Sequence, residues 1–124
     1  MLRSSMLFST SLCLATEVAQ DAVQTDGDKY KAIFENDCVR VRDYRDSPGE
    51  KTHQHTHPAF VLYALGPFKR SITLPDGKIF QRQFKEGDVM WSDARSHIGA
   101  NTGETSTPVI LVEMKSNIGA CASR

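Results

Sequence analysis

Three histidines alternate within five residues, His53-Gln54-His55-Thr56-His57, and the fourth and last histidine of the chain is His97. In an extended strand, residues i, i+2 and i+4 project to the same face. Imidazoles crowded on one strand face make poor core and an unusual plain surface, but they are ordinary ligands for a transition metal. Residues i and i+2 lie about 6.6 Å apart along a strand, so two rings can converge on one ion at about 2.1 Å. Residues i and i+4 lie about 13 Å apart, too far for all three rings to share an ion in a straight strand. The geometry therefore allows His53 with His55, or His55 with His57, and His97 completes either set from a remote segment.

The remaining composition removes other function classes. The chain has 124 residues, 15 basic and 15 acidic, for a formal net charge of zero. That balance supports no nucleic-acid partner. No run of eighteen apolar residues exists, so no membrane span is expected. Three cysteines, Cys13, Cys38 and Cys121, show no CxxC spacing and an odd count. We expect inert or terminal thiols from them, and neither a disulfide framework nor a cysteine zinc site.

Residues 1–28 read as a leader, partly helical over Glu17 to Val23. An uncleaved leader on a cytoplasmic protein is the expectation, with a secretory signal over residues 1–15 as the alternative. From Ile33 the character changes to short strands. Cys38 to Arg42 alternates apolar and charged residues. Ser47-Pro48-Gly49-Glu50 is a turn. Phe60 to Leu65 is an apolar run closed by Gly66-Pro67, which we read as a strand buried on both faces. Lys69 to Leu74 and Lys78 to Phe84 flank Pro75-Asp76-Gly77-Lys78, a strong hairpin signal. Val89 to Trp91 is a short strand. Asp93 to Ser96 reads as a loop, Gly99 to Pro108 as a polar stretch, and Pro108 to Met114 as the last strand. Short strands at this spacing, with no amphipathic helix, predict an all-β sandwich or barrel over residues 29–116, followed by a tail at 117–124.

In these motifs the chain resembles the small single-domain, RmlC-like members of the cupin superfamily. Gly49 is followed after five residues by His55-Thr56-His57, which is similar to the first cupin motif. Gly87, the turn Asp93-Ala94-Arg95, His97 and Asn101 are similar to the second. The resemblance spans roughly Ile33 to Lys115. It implies an antiparallel double-stranded β-helix, or jelly roll, with metal held by His55, His57 and His97 and with His53 behind the ligands, on the rim or as an extra ligand. The framing favours His55 and His57, although pairing His53 with His55 places Gly66 better. The acidic ligand of the first motif is absent in both registers, its slot falling at Val61 or at Ala59. The turn also has Asp93 and Arg95 where that motif carries Pro and Gly. Bacterial cupins of β-alanine degradation are the most similar subgroup.

Three neutral imidazoles leave a divalent ion its full charge and open positions. The resemblance implies iron(II) first, with zinc, manganese or nickel as substitutes, and dioxygenase-like chemistry on a small molecule. A non-catalytic metabolite- or metal-binding cupin is the alternative. A metal-free isomerase comes third, with Asp93 and Tyr63 as its only nearby proton-transfer partners. If the alternation survives Pro58, Val61 and Tyr63 continue the histidine face, and Trp91 adds an aromatic wall. Arg70 and Arg82 are expected to be solvated charges on the exterior. A homodimer through an edge strand or the N-terminal segment is expected.

Overall fold

The computed structural model describes residues 21–115 and Cys121. Each strand anticipated above is present, and β1 and β8 add to them. The strands are β1 (Tyr30–Glu35), β2 (Val39–Asp46), β3 (His55–His57), β4 (Phe60–Ala64), β5 (Phe68–Thr73), β6 (Ile79–Phe84), β7 (Val89–Ser92), β8 (Arg95–Asn101) and β9 (Thr107–Met114). All strand pairings are antiparallel. One sheet runs β1-β2-β9-β4-β7 and the other β3-β8-β5-β6.

The turn chemistry agrees with the sequence. Gly77, with φ of 89°, closes the β5–β6 hairpin where the Leu74 N–H donates to the Lys78 carbonyl. A positive φ there is costly for any side-chain-bearing residue. The barrel reaches further toward the N-terminus than the boundary at residue 28. Asp21 caps the helix α1 (Ala22–Thr25) by accepting from the Val23 N–H, and it bridges to Thr56 of β3. Ala22 and Asp26 are buried against the barrel. Residues 1–20, which include Cys13 and most of the expected leader, lie outside the described residues, as do residues 116–120 and 122–124 of the expected tail.

Between the sheets lies a mixed core. Phe60, Leu62, Ala64, Val109 and Leu111 come from the first sheet, and Phe68 and Phe84 from the second. Phe68 and Phe84 stack with centroids 4.5 Å apart. β4 is not buried on both faces as expected. Phe60, Leu62 and Ala64 face inward, whereas Tyr63 is 45% exposed. The five-stranded sheet is covered on its inner side only, so the outward positions of an apolar run remain at the surface.

Two further expectations are overturned. Cys38 and Cys121 form a disulfide with Cα atoms 5.8 Å apart, within the range such a bond requires. The pairing of β2 with β9 brings Cys38 beside the end of the chain, where its carbonyl accepts from the Lys115 N–H. That proximity has no signature in the 83-residue spacing.

Arg70 is not a solvated exterior charge but is buried. It follows Phe68 by two residues and so shares its inward face. Its Nη1 donates to Asp46 Oδ2 at 2.7 Å and to Thr107 Oγ1 at 3.2 Å, and its Nη2 donates to the Tyr44 hydroxyl at 3.1 Å. Asn101 donates to the other Asp46 oxygen at 3.0 Å. Gly99 makes room, because a Cβ there would lie 2.5 Å from Arg70 Nη2. Asp46→Ala leaves this guanidinium buried without its anion and is expected to lower unfolding free energy by about 3–5 kcal/mol, measured by urea titration.

Candidate metal centre

β3 pairs with β8 so that His55 stands directly opposite His97 and His57 opposite Arg95. His55, His57 and His97 are all buried. Their ring centroids are 4.6 Å (55 to 57), 4.8 Å (55 to 97) and 5.0 Å (57 to 97) apart. One nitrogen from each ring lies within 4.8 Å of the others. The three rings named from the sequence therefore meet inside the barrel.

The other ring atoms decide how those nitrogens are presented. His55 Nδ1 lies 2.8 Å from the His53 carbonyl, which can only accept, so Nδ1 carries the proton and Nε2 the lone pair. His57 Nδ1 lies 3.5 Å from Glu113 Oε2, close to it but without a hydrogen bond. A carboxylate behind a ligating imidazole orients the ring and raises its basicity. Glu113 is itself buried and is held by ion pairs to Arg42 and Arg40, whose guanidinium groups also grip Asp21. The Tyr30 hydroxyl sits 3.3 Å from His55 Nε2 and 3.5 Å from His57 Nε2.

Burial, and then the neighbouring His57, pushes His55 down to about 4. Burial, followed by His57 and His55, pushes His97 down to about 2. Both rings are neutral at pH 7, the form that binds metal. His97 Nδ1 is buried without a hydrogen-bond partner. An unsatisfied buried nitrogen is costly, and a cation beside it would remove that cost. The donor set fits a divalent ion, with three imidazole nitrogens and no thiolate.

The structure places the other predicted residues differently. The His53 ring is exposed, pointing away from the cluster toward Asp26, with Nδ1 3.1 Å from Asp26 Oδ1. Only its backbone carbonyl serves the site. Val61 and Tyr63 do not continue the histidine face. β3 belongs to one sheet and β4 to the other, and Pro58-Ala59 resets the alternation, so even-numbered residues of β4 turn inward. Trp91 borders the cavity, but the residue is 56% exposed and its indole donates to Asp93. Asp93 and Tyr63 are thus not partners for the histidines. Asn101 braces Asp46 instead of the metal site.

Sequence reasoning missed Tyr30, Asp26 and Glu113. Glu113 alone left a trace, as a single acid inside the apolar run from Pro108 to Met114. In place of the one acidic ligand absent from the first motif, Asp26 and Glu113 come from other segments and stand near Nδ1 of His55 and His57, behind the rings rather than among the ligands.

Next to the histidines opens a cavity of about 140 Å³, walled by Phe60, Leu62, Phe68, Phe84, Met90 and Leu111. His57, His97, Tyr30 and Arg70 line it as well.

This architecture is the cupin-type double-stranded β-helix. A cupin domain from Bordetella pertussis superimposes with a TM-score of 0.64 at 21% identity, over 70% of this chain and 92% of that one. An RmlC-like cupin from Methanocaldococcus jannaschii gives a TM-score of 0.58 at 14% identity, over 74% and 84%. The polyketide cyclase RemF from Streptomyces resistomycificus gives 0.53 at 16%, over 68% and 63%. No family model matches the chain, and no curated protein matches it.

The depressed histidines set a pH dependence in the metal-free protein. Below about pH 6.5 the unfolded chain takes up protons that the folded chain refuses, so stability falls as pH falls. Each of His55 and His97 is expected to remove on the order of 1.4 kcal/mol per pH unit between about pH 6 and 4. Urea titrations across that window check this, and His97→Ala should flatten the slope.

Proposed function

We propose that this chain is a metal-binding cupin acting in small-molecule catabolism, with one divalent ion, iron(II) foremost, held by His55, His57 and His97. The observation that carries the reading is the convergence of three buried imidazoles beside a walled cavity. A bound ion there supplies Lewis acidity and open positions for a substrate and, with iron, dioxygen. The chain's own residues do the rest. The His53 carbonyl and Glu113 orient the rings. The Tyr30 hydroxyl holds a proton next to His55 Nε2, where burial keeps the phenol protonated. Phe60, Leu62 and Leu111 keep bulk water from the reacting region.

One observation favours a second reading. Tyr30 beside His55 and His57, with Glu113 behind His57, forms a proton-donor and base set that needs no metal. The Cys38–Cys121 bond bears on location. Disulfides persist in oxidising compartments, which favours the secretory alternative for residues 1–15 over the cytoplasm.

Elemental analysis of protein purified without chelator tests the metal reading. About one divalent ion per chain is expected, and His97→Ala should lose it. Glu113→Gln should weaken metal affinity about 10- to 100-fold, whereas Val61→Glu, on the outer face, should not change it. An ion-free protein with no affinity for iron, zinc, manganese or nickel would overturn this reading in favour of the metal-free one. Oxygen uptake with candidate acids then separates an enzyme from a binding protein.

We also propose a homodimer. Phe34, Val41, Val112, Val61 and Trp91 stand in one register row across the outer face of the five-stranded sheet. Phe34 and Trp91 are each more than half exposed. A two-fold axis would cover this row with its own copy. Sedimentation should show a dimer, and Trp91→Glu should shift it toward monomer.

A further inference from the structure

We infer that the cavity takes a small apolar organic anion, a monocarboxylate with an aromatic or branched body, drawn by the unpaired guanidinium groups of Arg82 and Arg95 along the cavity wall. The inference rests on the metal reading only for the inner end of the ligand.

The charged side chains lining the cavity are of one sign. Among the described residues they are Arg70, Arg82 and Arg95, with no carboxylate. Arg70 is already matched by Asp46. Arg82 and Arg95 make no ion pair among the described residues, although the surface guanidinium of Arg45 finds one in Asp43. Register explains their placement. Arg82 stands directly opposite Arg70 on the β5–β6 hairpin and so shares its inward face. Arg95 stands opposite His57 and two residues before His97, so it shares the face of the metal ligands.

Like charges directly opposite one another on a sheet are destabilising. Here Arg70 and Arg82 are so placed, and a single Asp46 offsets only one of them. The Arg82 guanidinium lies over the Phe80 ring, 5.5 Å from its centroid, and this holds the side chain at the cavity wall. The result is an apolar chamber whose wall carries two exposed, unmatched cations at separate points and whose inner end carries imidazoles. An anion with an apolar body satisfies every part of that wall. An ammonium group would meet no carboxylate, so the structure favours an acid without an amine over a free amino acid.

Calorimetric titration with phenylacetate and with its neutral isostere phenylacetamide tests this, on the protein as purified and after EDTA treatment. Phenylacetate should bind about tenfold tighter or more in both preparations, the gain expected of charge-assisted bonds. The double variant Arg82→Gln/Arg95→Gln should lose that preference while keeping its metal content. Both side chains are exposed, so folding is not at stake. Equal affinity for acid and amide, no binding of either, or a preference untouched by the double variant would overturn the inference. So would a preference that vanishes with EDTA, because the ion alone would then hold the anion. A preference that persists in protein found never to carry metal would sink the metal reading and leave this one standing.

Discussion

The short antiparallel pairing of β3 with β8 is the constraint on which the rest of the site depends. It spans three residue pairs, and it sets His55 directly across from His97. A slip of one residue would turn His97 to the outside, because side-chain direction alternates along a strand. Flanking contacts hold the register. Thr56 and Ser96 share a hydroxyl bond at 2.7 Å, and the Gly99 N–H donates to the Thr52 hydroxyl at 2.9 Å. Helix α1 closes the same side through the Asp21–Thr56 bridge. The segment before β1 is thereby part of the machinery that fixes the rings.

Two largely buried charge networks flank the site, one beside His57 and one in the cavity wall. Asp21, Arg40, Arg42 and Glu113 form a chain of ion pairs ending beside His57. Asp46, Arg70, Tyr44, Thr107 and Asn101 form the second, at the far end of β2. Ion pairs in a core give little net stability over well-packed apolar residues, because desolvation offsets the attraction. Their value here is positional. One holds the carboxylate that orients a ligand, and the other holds a guanidinium inside the wall.

Much of the site could be read from the chain. All four histidines lie in two segments, and alternation alone selected adjacent pairs from the first. The Pro-Asp-Gly-Lys hairpin and the strand after Pro108 were equally legible, since turn residues and apolar runs are local signals. The cavity wall was not. Val61 and Tyr63 were carried past Pro58 on the assumption of one continuous face, but the chain changes sheets there and the parity resets. Arg70 looked like any surface arginine, because nothing local distinguishes an inward guanidinium whose anion lies 24 residues away.

What the sequence determined by itself is therefore the local part: an all-β chain, its turns, and three imidazoles able to share a strand face and a remote partner. The tertiary structure alone decided which groups surround those rings. Glu113, Asp26 and Tyr30 reach them from separate segments, and Cys38 reaches Cys121 only because β2 lies beside β9. The reason is physical. Strand periodicity is written in neighbouring residues, whereas contact between sheets depends on register and closure, which are set by the packing of the whole barrel.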